Sequence, residues 1–464
     1  MIDVLEYTIK RADRMGASQV EVFHSKKTEL EVRAEKKEVK IGQLTSDVGV
    51  GIKLALKRHG GFSLAFTYTT DFSEKALDEA VEQALKICRV RKPDVDFKSF
   101  PEKSSFKVVS DIYDKRISEF RSEETIDLVN NQIEIASADK RVETVRGLTT
   151  LSVDEISIMN SSGLSGSYTA SHFYTYMYSL AKDGDSQGVG WEDYSSCFFD
   201  PDEALEAAEK AANLAVRQLH AKPIEKGQMD LIIHPDALAK LLIYILIQEV
   251  RADRVQKLQS PLVGKLNQEI ASKILTVIND GRIPKAAGSR PFDDEGVPTT
   301  KTSIIERGEL KSFLHNTYTA NKEENKSTGN ALRQALLQVV PKYKMETSIG
   351  PTNIVIEPRT SSSDDMTREV KNGIITKDFI GAHTSNPQSG AFSIAPYCAF
   401  KIEEGEVKYP IKEAMIGGNM LTLLKNIEII GNDVKQVLFY DAALIKDATL
   451  IAPTILVKNV SVSA

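Results

Sequence analysis

The sequence predicts an α+β protein built in two parts: a duplicated layer of helices and antiparallel strands over residues 1–220, and a strand-rich barrel or sandwich over residues 228–464. Three observations support this prediction. A helix–strands–helix order occurs twice before residue 220, and short strands separated by turns dominate after residue 254. At 464 residues the chain is also too long for one ordinary hydrophobic core.

The first copy begins with the helix VLEYTIKRADRMGA, whose apolar residues recur at helical spacing and which stops at Gly16. Alternating strands follow it: VEVFHSK, ELEVRAEKKEVKIG, VGVGIKLALKR and GGFSLAFTYT. The helix SEKALDEAVEQALKIC closes the copy, and Ser73 is its expected N-cap.

The second copy repeats this order with a helix in TIDLVNNQIEIASA, two long strand stretches between residues 142 and 181, and the helix PDEALEAAEKAANLAVRQL. Trp191 follows DSQGVG, which predicts a loop or hairpin tip where an aromatic side chain is either an interface anchor or simply packed. At one constant offset of 128 residues, three helical positions of each copy match: Leu77, Ala80 and Ala84 with Leu205, Ala208 and Ala212.

A polar linker, RQLHAKPIEKGQ, leads into the second part, where the strand MDLIIH meets Pro235 at the expected first turn of a helix. That helix carries seven consecutive apolar or aromatic residues, Leu241 to Ile247. Short strands then recur, and a short helix (NMLTLLKNIEII) and a last strand end the chain. Turn pairs separate the strands at Asp280-Gly281, Arg307-Gly308, Asn372-Gly373 and Glu404-Gly405.

The composition excludes several function classes. A net charge of −6 argues against a nucleic-acid partner, which needs clustered excess Lys and Arg. The first residues mix acidic and basic side chains where a signal peptide needs an apolar segment, and no apolar run approaches the roughly 18 residues that span a bilayer. The three cysteines, Cys88, Cys197 and Cys398, lie too far apart for a metal clip, so buried thiols and a cytoplasmic location are expected. No nucleotide-binding motif is present, which predicts no nucleotide cofactor.

Five sequence blocks are spread along nearly the whole chain: GVGIKLALKRHGGFS near the start, Ser289 to Lys322, Asn325 to Ala331, Gly381 to Ser393 and Gly405 to Asp433. In this order the blocks resemble the TldD/PmbA (TldE) family. The combination is specific because the blocks occur in the family's order.

The resemblance implies that two paralogous subunits pair to form a zinc metallopeptidase acting on unfolded peptides and peptide precursors. In this family the TldD-like subunit carries the metal and the PmbA/TldE-like subunit does not. The family has also been linked to modulation of DNA gyrase, a role that the acidic charge of this chain does not support.

The resemblance also locates the positions of the zinc motif. TldD-like chains carry a His-Glu-x-x-x-His stretch on the helix after a strand-end His-Pro pair, and a cysteine near the C-terminus. Counted from His234-Pro235, the matching positions here are Ile243, Tyr244 and Gln248, and no cysteine follows Cys398. A peptidase zinc needs about three protein ligands and a nearby carboxylate. The chain therefore resembles the PmbA/TldE side, with no metal of its own and zinc expected in a TldD-like partner.

Other residues are weaker candidates for a metal site. His234 projects from a strand end, while Glu249 and Asp253 are four residues apart and would share one helix face. The alternative is that His234 binds a loop and that the two acids pair with nearby arginines or solvent. His383 stands in a glycine-flanked loop with no acid or second histidine near it in sequence.

Two small polar loops are candidate peptide-binding segments. Glycines in such loops permit close approach of a peptide backbone, whereas the alternative is an ordinary strand-connecting turn. The two loops are also candidates for the walls of one cleft. The candidate contact residues are Lys326, Ser327, Thr328, Gly329 and Asn330 in the first loop, and His383, Ser385, Asn386 and Gly390 in the second.

Three functions follow from these observations. The leading hypothesis is a non-catalytic subunit, without catalytic residues of its own, that pairs with a TldD-like zinc subunit in a peptidase. The second is a stand-alone homo-oligomeric protein that binds peptides without catalysis. The third is an autonomous metallopeptidase using His234, Glu249 or His383.

Overall fold

The computed structural model describes residues 1–333, 340–439 and 447–463. The first part of the chain forms one six-stranded antiparallel sheet in the order β3-β2-β1-β4-β5-β6, with helices packed against it. Its elements are α1 (Ile2–Arg14), β1 (Gln19–Glu35), β2 (Glu38–Arg58), β3 (Gly61–Thr69), α2 (Glu74–Val90), α3 (Lys115–Glu119), α4 (Ser122–Ala136), β4 (Val142–Asn160), β5 (Ser165–Asp183), β6 (Ser186–Ser196) and α5 (Pro201–Arg217).

Local sequence signals explain where these helices begin and end. The Ser73 hydroxyl accepts a hydrogen bond from the backbone N–H of Ala76, which confirms the expected N-cap of α2. Gly16 follows α1 with a φ of +93°, the left-handed conformation that glycine adopts without a Cβ penalty. The predicted strands VEVFHSK and ELEVRAEKKEVKIG are, however, parts of two long strands that turn at residues 36 and 37.

The second part contains more strands than helices, as the turn-rich sequence predicts. Its elements are β7 (Gly227–Ile233), α6 (Pro235–Leu241), a π turn (Leu242–Leu246), α7 (Ile247–Glu249), α8 (Ala252–Gln256), β8 (Val277–Asp280), β9 (Lys301–Glu306), β10 (Glu309–Leu310), α9 (Thr317–Lys322), β11 (Ala331–Leu332), β12 (Ser348–Ile349), β13 (Asn353–Ile356), α10 (Ser363–Arg368), β14 (Asn372–Ile380), β15 (Ala391–Glu403), β16 (Glu406–Pro410), β17 (Met415–Asn419), α11 (Met420–Lys425), β18 (Ile427–Ile430), β19 (Lys435–Leu438), β20 (Thr449–Ala452) and β21 (Ile455–Ser463), with 3₁₀ turns at Lys342–Lys344 and Ala382–Thr384.

Five of these strands close into a barrel. The order β14-β7-β21-β17-β15 is completed by pairing of β15 back onto β14, from Asn372 with Glu403 to Ile380 with Ala395. A second sheet has the order β10-β9-β8-β13-β20-β19. The α+β class is thus confirmed, and of the two predicted forms for the second part the barrel is present.

The apolar helix lies in the core between the barrel and the second sheet. Every residue from Leu241 to Ile247 is buried, and the segment packs in one cluster with side chains of β7, β14, β20 and β21. Burial of each large aliphatic side chain there contributes roughly 1.5–3 kcal/mol. The hydrophobicity of this helix is therefore explained by core packing.

Arg333 makes buried contacts that join the N-terminal sheet to the second part. The Arg333 guanidinium donates to Glu21 Oε1 at 2.6 Å, and both side chains are only 1% exposed. The same guanidinium lies over the ring of Phe23, with its carbon 4.5 Å from the ring centroid.

The three cysteines are buried and free, which confirms the prediction of buried thiols. None of the described helices is long and apolar enough to cross a membrane.

Candidate functional site

The strand-to-helix turn between β7 and α6 is held by its own side chains. Pro235 occupies the first turn of α6, and His234 is the N-cap residue. Nδ1 of His234 lies 2.6 Å from Oδ2 of Asp236, so the imidazole is held against a carboxylate. Burial, together with the nearby Lys377 ammonium, lowers the pKa of His234 below its ordinary value. The partner of His234 is thus Asp236 in the first turn of α6, whereas the sequence suggested a contact with a loop.

Asp236 is also the centre of a buried charge cluster at the junction of the two parts. Lys377 Nζ donates to Asp236 Oδ2 at 2.7 Å and to Glu192 Oε1 at 2.9 Å. Lys435 Nζ contacts Glu192, lies 3.0 Å from Asp236 Oδ1 and lies 3.3 Å from Asp193 Oδ1. The cluster is drawn from β6, α6, β14 and β19, so it is formed only by the folded chain.

The ammonium groups set the ionisation of this cluster. Burial opposes ionisation of Asp236, but Lys377 and Lys435 outweigh it and hold the pKa of this carboxyl well below its ordinary value. Burial also opposes ionisation of Glu192, but the same two ammonium groups outweigh it and lower the pKa of Glu192 to about 2. For Asp193 burial dominates, and it raises the pKa to about 6, with a further contribution from the two neighbouring carboxylates.

The three carboxylates Glu192, Asp193 and Asp236 form the single grouping of metal-ligand type found among the described residues, with oxygen atoms within 4.8 Å of one another. A cation does occupy the space between them, but it is the Lys435 ammonium, which contacts all three. A divalent ion at this point would therefore have to displace a paired lysine. The arrangement suits a structural ion cluster and not a metal centre.

Of the three positions that the resemblance matches to the zinc motif, Ile243 and Tyr244 lie on the π turn that follows α6, and Gln248 lies in α7. The backbone N–H of Ile247 donates to the carbonyl of Leu242, a bond that spans five residues. A π turn therefore brings residues five apart, such as Ile243 and Gln248, onto one face. This is the spacing that two histidines of a His-Glu-x-x-x-His stretch would need to meet one metal.

None of the three side chains at these positions fits a zinc ion. Ile243 has no donor atom, and the ring of Tyr244 packs edge-on against His383, with centroids 6.3 Å apart. The Gln248 amide is occupied at both ends: its Nε2 donates to the Ile243 carbonyl at 3.1 Å, and its Oε1 accepts from Arg251 at 3.2 Å. The π turn is present, but the side chains at these three positions do not form a zinc site.

Glu249 and Asp253 do not share a helix face, so that prediction is wrong. Helix α7 ends at Glu249, and α8 begins only at Ala252. Val250 and Arg251 leave the helical path because their segment pairs with Leu314. Asp253 forms a bidentate pair with Arg251 at 3.0 and 3.1 Å, the alternative considered for these acids.

Glu249, in contrast, is a fully buried carboxyl. Neither of its oxygens has a hydrogen-bond partner among the described residues. Burial raises the pKa of Glu249 to about 8, against the smaller opposing effects of Lys265 and Arg254. Glu249 is not grouped with His234 or His383 in the described structure, so these three do not rebuild a metal site.

The first candidate peptide-binding loop is packed against its own domain. The hydroxyls of Ser327 and Thr328 both donate to the His315 carbonyl. Gly329 has a φ of +70°, and a Cβ there would lie 2.7 Å from the Pro298 carbonyl oxygen. Asn330 is buried and donates to the Gly350 carbonyl, while Lys326 is exposed. A peptide-binding role for this loop stays a prediction.

The second candidate loop lies beside the π turn, where the ring of His383 packs against that of Tyr244. His383 and Asn386 are exposed, and Asn386 Oδ1 accepts from the backbone N–H of Gln388. The Ser385 hydroxyl is buried without a partner among the described residues. A Cβ on Gly390 would lie 3.0 Å from Glu249 Oε1. No hydrogen bond joins the two candidate loops in the described structure, and their predicted peptide contacts stay predictions as well.

A cavity of about 740 Å³, which the sequence did not predict, lies between β4, β5 and β6 of the N-terminal sheet and α6 of the second part. Ile243 forms part of its wall. One sequence signal could have indicated it: the alternate tyrosines of TYMYS on β5 point to a single face of the strand. Trp191, expected at a loop or hairpin tip, instead lies within β6, is 9% exposed and lines the same cavity.

Comparison with known proteins gives matches along nearly the whole chain. Family models match residues 20–88 (PmbA/TldA metallopeptidase domain 1), residues 115–219 (PmbA/TldA metallopeptidase central domain) and residues 226–464 (PmbA/TldA metallopeptidase C-terminal domain). An uncharacterized protein of Methanocaldococcus jannaschii, MJ0231, is 29% identical over 434 residues, which cover 93% of this chain and 95% of that protein. The metalloprotease PmbA of Escherichia coli O157:H7 is 26% identical over 441 residues, covering 93% and 92% of the two chains.

Two solved structures share the fold. TldE from Thermococcus kodakarensis superposes with a TM-score of 0.87 at 26% identity, covering 99% of this chain and 100% of the other. A putative modulator of a DNA gyrase from Thermotoga maritima gives a TM-score of 0.86 at 26% identity, with complete coverage of both chains. Because the C-terminal domain model alone matches more than half of the sequence, this chain belongs to the PmbA/TldA metallopeptidase family.

Proposed function

We propose that this chain is the PmbA/TldE-like, metal-free subunit of a two-subunit zinc peptidase and that it pairs with a TldD-like paralogue. The observation that carries the proposal is the π turn at residues 242–246. It retains the geometry in which residues 243 and 248 share a face, but presents an isoleucine and an internally bonded glutamine there. The similarity to TldE of Thermococcus kodakarensis supports the same assignment.

The charge cluster supports a non-catalytic role for this chain. A peptidase zinc site keeps an open coordination position for water and a carboxylate beside it. Here the grouped carboxylates are already neutralised by Lys377 and Lys435, and Tyr244 occupies the position of the motif glutamate. Catalysis in the complex then comes from the partner, where the zinc is bound.

Metal content and partner dependence test the proposal together. The purified chain should hold far less than one zinc per molecule, while a mixture with the TldD-like protein of the same genome should elute as a larger complex containing zinc and cleaving unfolded peptides. A chelator should abolish that cleavage, because the metal supplies the activated water.

Two results would contradict the proposal. Stoichiometric zinc in the chain alone, lost on changing His234, Glu249 or His383 to alanine, would favour an autonomous metallopeptidase. A stable homodimer that binds peptides and neither joins nor activates the TldD-like protein would favour the stand-alone peptide-binding function.

A further inference from the structure

The cavity between the N-terminal sheet and α6 has the size of a ligand site. Its volume of about 740 Å³ lies within the range of roughly 300–1,000 Å³ that is typical of small-ligand pockets. One side is formed by β4, β5 and β6, and the other by α6, the π turn and the ends of β14, β15 and β19. The cavity opens at the surface beside exposed residues of β1, β2 and β4, among them Arg33, Lys40 and Arg146.

Its wall is rich in aromatic rings. Tyr174, Tyr176 and Tyr178 alternate along β5, so they project to the same face of the sheet. Trp191 on the neighbouring β6 pairs in register with Tyr178, and its ring centroid lies 5.9 Å from that of Tyr176. Tyr397, from β15 of the barrel, adds a ring from the other part of the chain.

The inner end of the cavity is closed by charges that are already paired. Lys240 Nζ donates to Asp378 Oδ2 at 2.7 Å, and Asp236 is held by two lysines. A charged ligand group at this end would compete with those pairs, whereas an uncharged ring would pack against the aromatic wall. The tyrosine hydroxyls can donate hydrogen bonds to the carbonyls of an attached backbone.

We propose that this cavity, which lies in the metal-free chain itself, binds an aromatic side chain of a separate peptide. The peptide class of ligand rests on the proposed function, whereas the aromatic preference rests on the cavity wall. Ile243 lies on that wall at the position where a TldD-like chain has a zinc ligand. The cavity would thus hold a peptide side chain without cutting the peptide.

Trp191 allows a direct test because it is the single tryptophan of the 464 residues. The purified chain is titrated with two blocked pentapeptides, Ala-Ala-Phe-Ala-Ala and Ala-Ala-Ala-Ala-Ala, while the Trp191 emission is recorded. The phenylalanine peptide should give a saturable change, with an affinity at least roughly tenfold higher than that of the alanine peptide, because a buried phenyl ring adds that much. Equal responses to both peptides would overturn the proposal.

A variant confirms where the ring binds. Leu148 is half-buried on the cavity wall, and Leu148→Glu places a charge beside the aromatic rings. This change should weaken the phenylalanine peptide at least roughly tenfold, and the control Leu266→Glu, at an exposed leucine outside the cavity, should leave its affinity unchanged. An unchanged affinity in a Leu148→Glu protein with the wild-type circular dichroism spectrum would also overturn the proposal.

The titration uses the chain alone, so it is independent of subunit pairing. A chain that forms the zinc-containing complex but shows no aromatic preference would retain the proposed function and lose this inference. A chain that binds the phenylalanine peptide but never joins a TldD-like partner would retain this inference and lose the proposed function.

Discussion

Glu249 makes the stability of this protein depend on pH in a direction opposite to that of most carboxylates. Burial raises its pKa to about 8, from an ordinary value of 4.5 for the exposed side chain. The folded chain therefore binds this proton more tightly than the unfolded chain does. Its contribution to folding is greatest at acidic pH and is lost progressively as the pH rises above 4.5 towards 8.

The magnitude follows from the gap between the two pKa values. That gap of about 3.5 corresponds to at most about 5 kcal/mol, since one pKa unit is worth about 1.36 kcal/mol. Linkage then lowers the free energy of unfolding by about 1 kcal/mol at pH 5 and by about 4 kcal/mol at pH 8, relative to a chain in which this group stays protonated. Glu249→Gln removes the titration and keeps the size and polarity of the side chain.

The assay is thermal unfolding of the wild type and of Glu249→Gln between pH 5 and pH 8. For a chain of this length, about 1 kcal/mol changes Tm by about 1 °C, so the variant should gain about 4 °C at pH 8 and about 1 °C at pH 5. Glu269→Gln, at an exposed residue whose side chain forms an ion pair with Lys273, is the matched control and should change little at either pH. A gain that is equal at pH 5 and pH 8 would refute the buried-proton explanation.

Three further predictions concern the metal motif and the buried ion pairs. Ile243→His combined with Gln248→His should introduce zinc binding detectable by equilibrium dialysis, whereas either single change should not, because the π turn brings both positions to one face. Arg333→Ala should lower the free energy of unfolding in urea by about 3–5 kcal/mol, because it leaves the Glu21 carboxylate buried and unpaired, while Arg368→Ala at an exposed pair should cost less than about 1 kcal/mol. Lys435→Met should destabilise the chain by about 3 kcal/mol at pH 7, since three carboxylates lose their shared ammonium; no change in the urea midpoint would contradict this reading of the cluster.

Local signals in the sequence predicted much of this fold. Helical periodicity and the Ser73 cap located α2, and the alternating stretches and turn pairs predicted a strand-rich second part. These features depend on neighbours within a few residues, which a single sequence displays directly.

The features that the sequence did not predict depend on contacts between distant segments. Closure of the barrel needs β15 to pair with β14, and the charge cluster joins Glu192, Asp236, Lys377 and Lys435 from four separate elements. Helical spacing suggested that the two acids after Gln248 share a face, but pairing of residue 251 with Leu314 breaks the helix between them. Likewise, the strand that contains Trp191 is defined by its neighbour β5 and not by the glycines before it.

The Arg333–Glu21 bond has a consequence for how the protein can be divided. It joins residues 312 positions apart, and the lysines of the second part neutralise acids of β6 in the first. A fragment ending at the linker would leave Glu21 and Glu192 without their counter-ions, and one beginning there would leave Arg333, Lys377 and Lys435 without part of theirs. The two parts should accordingly melt in a single cooperative transition, and neither should be obtainable as a separately expressed, stably folded fragment.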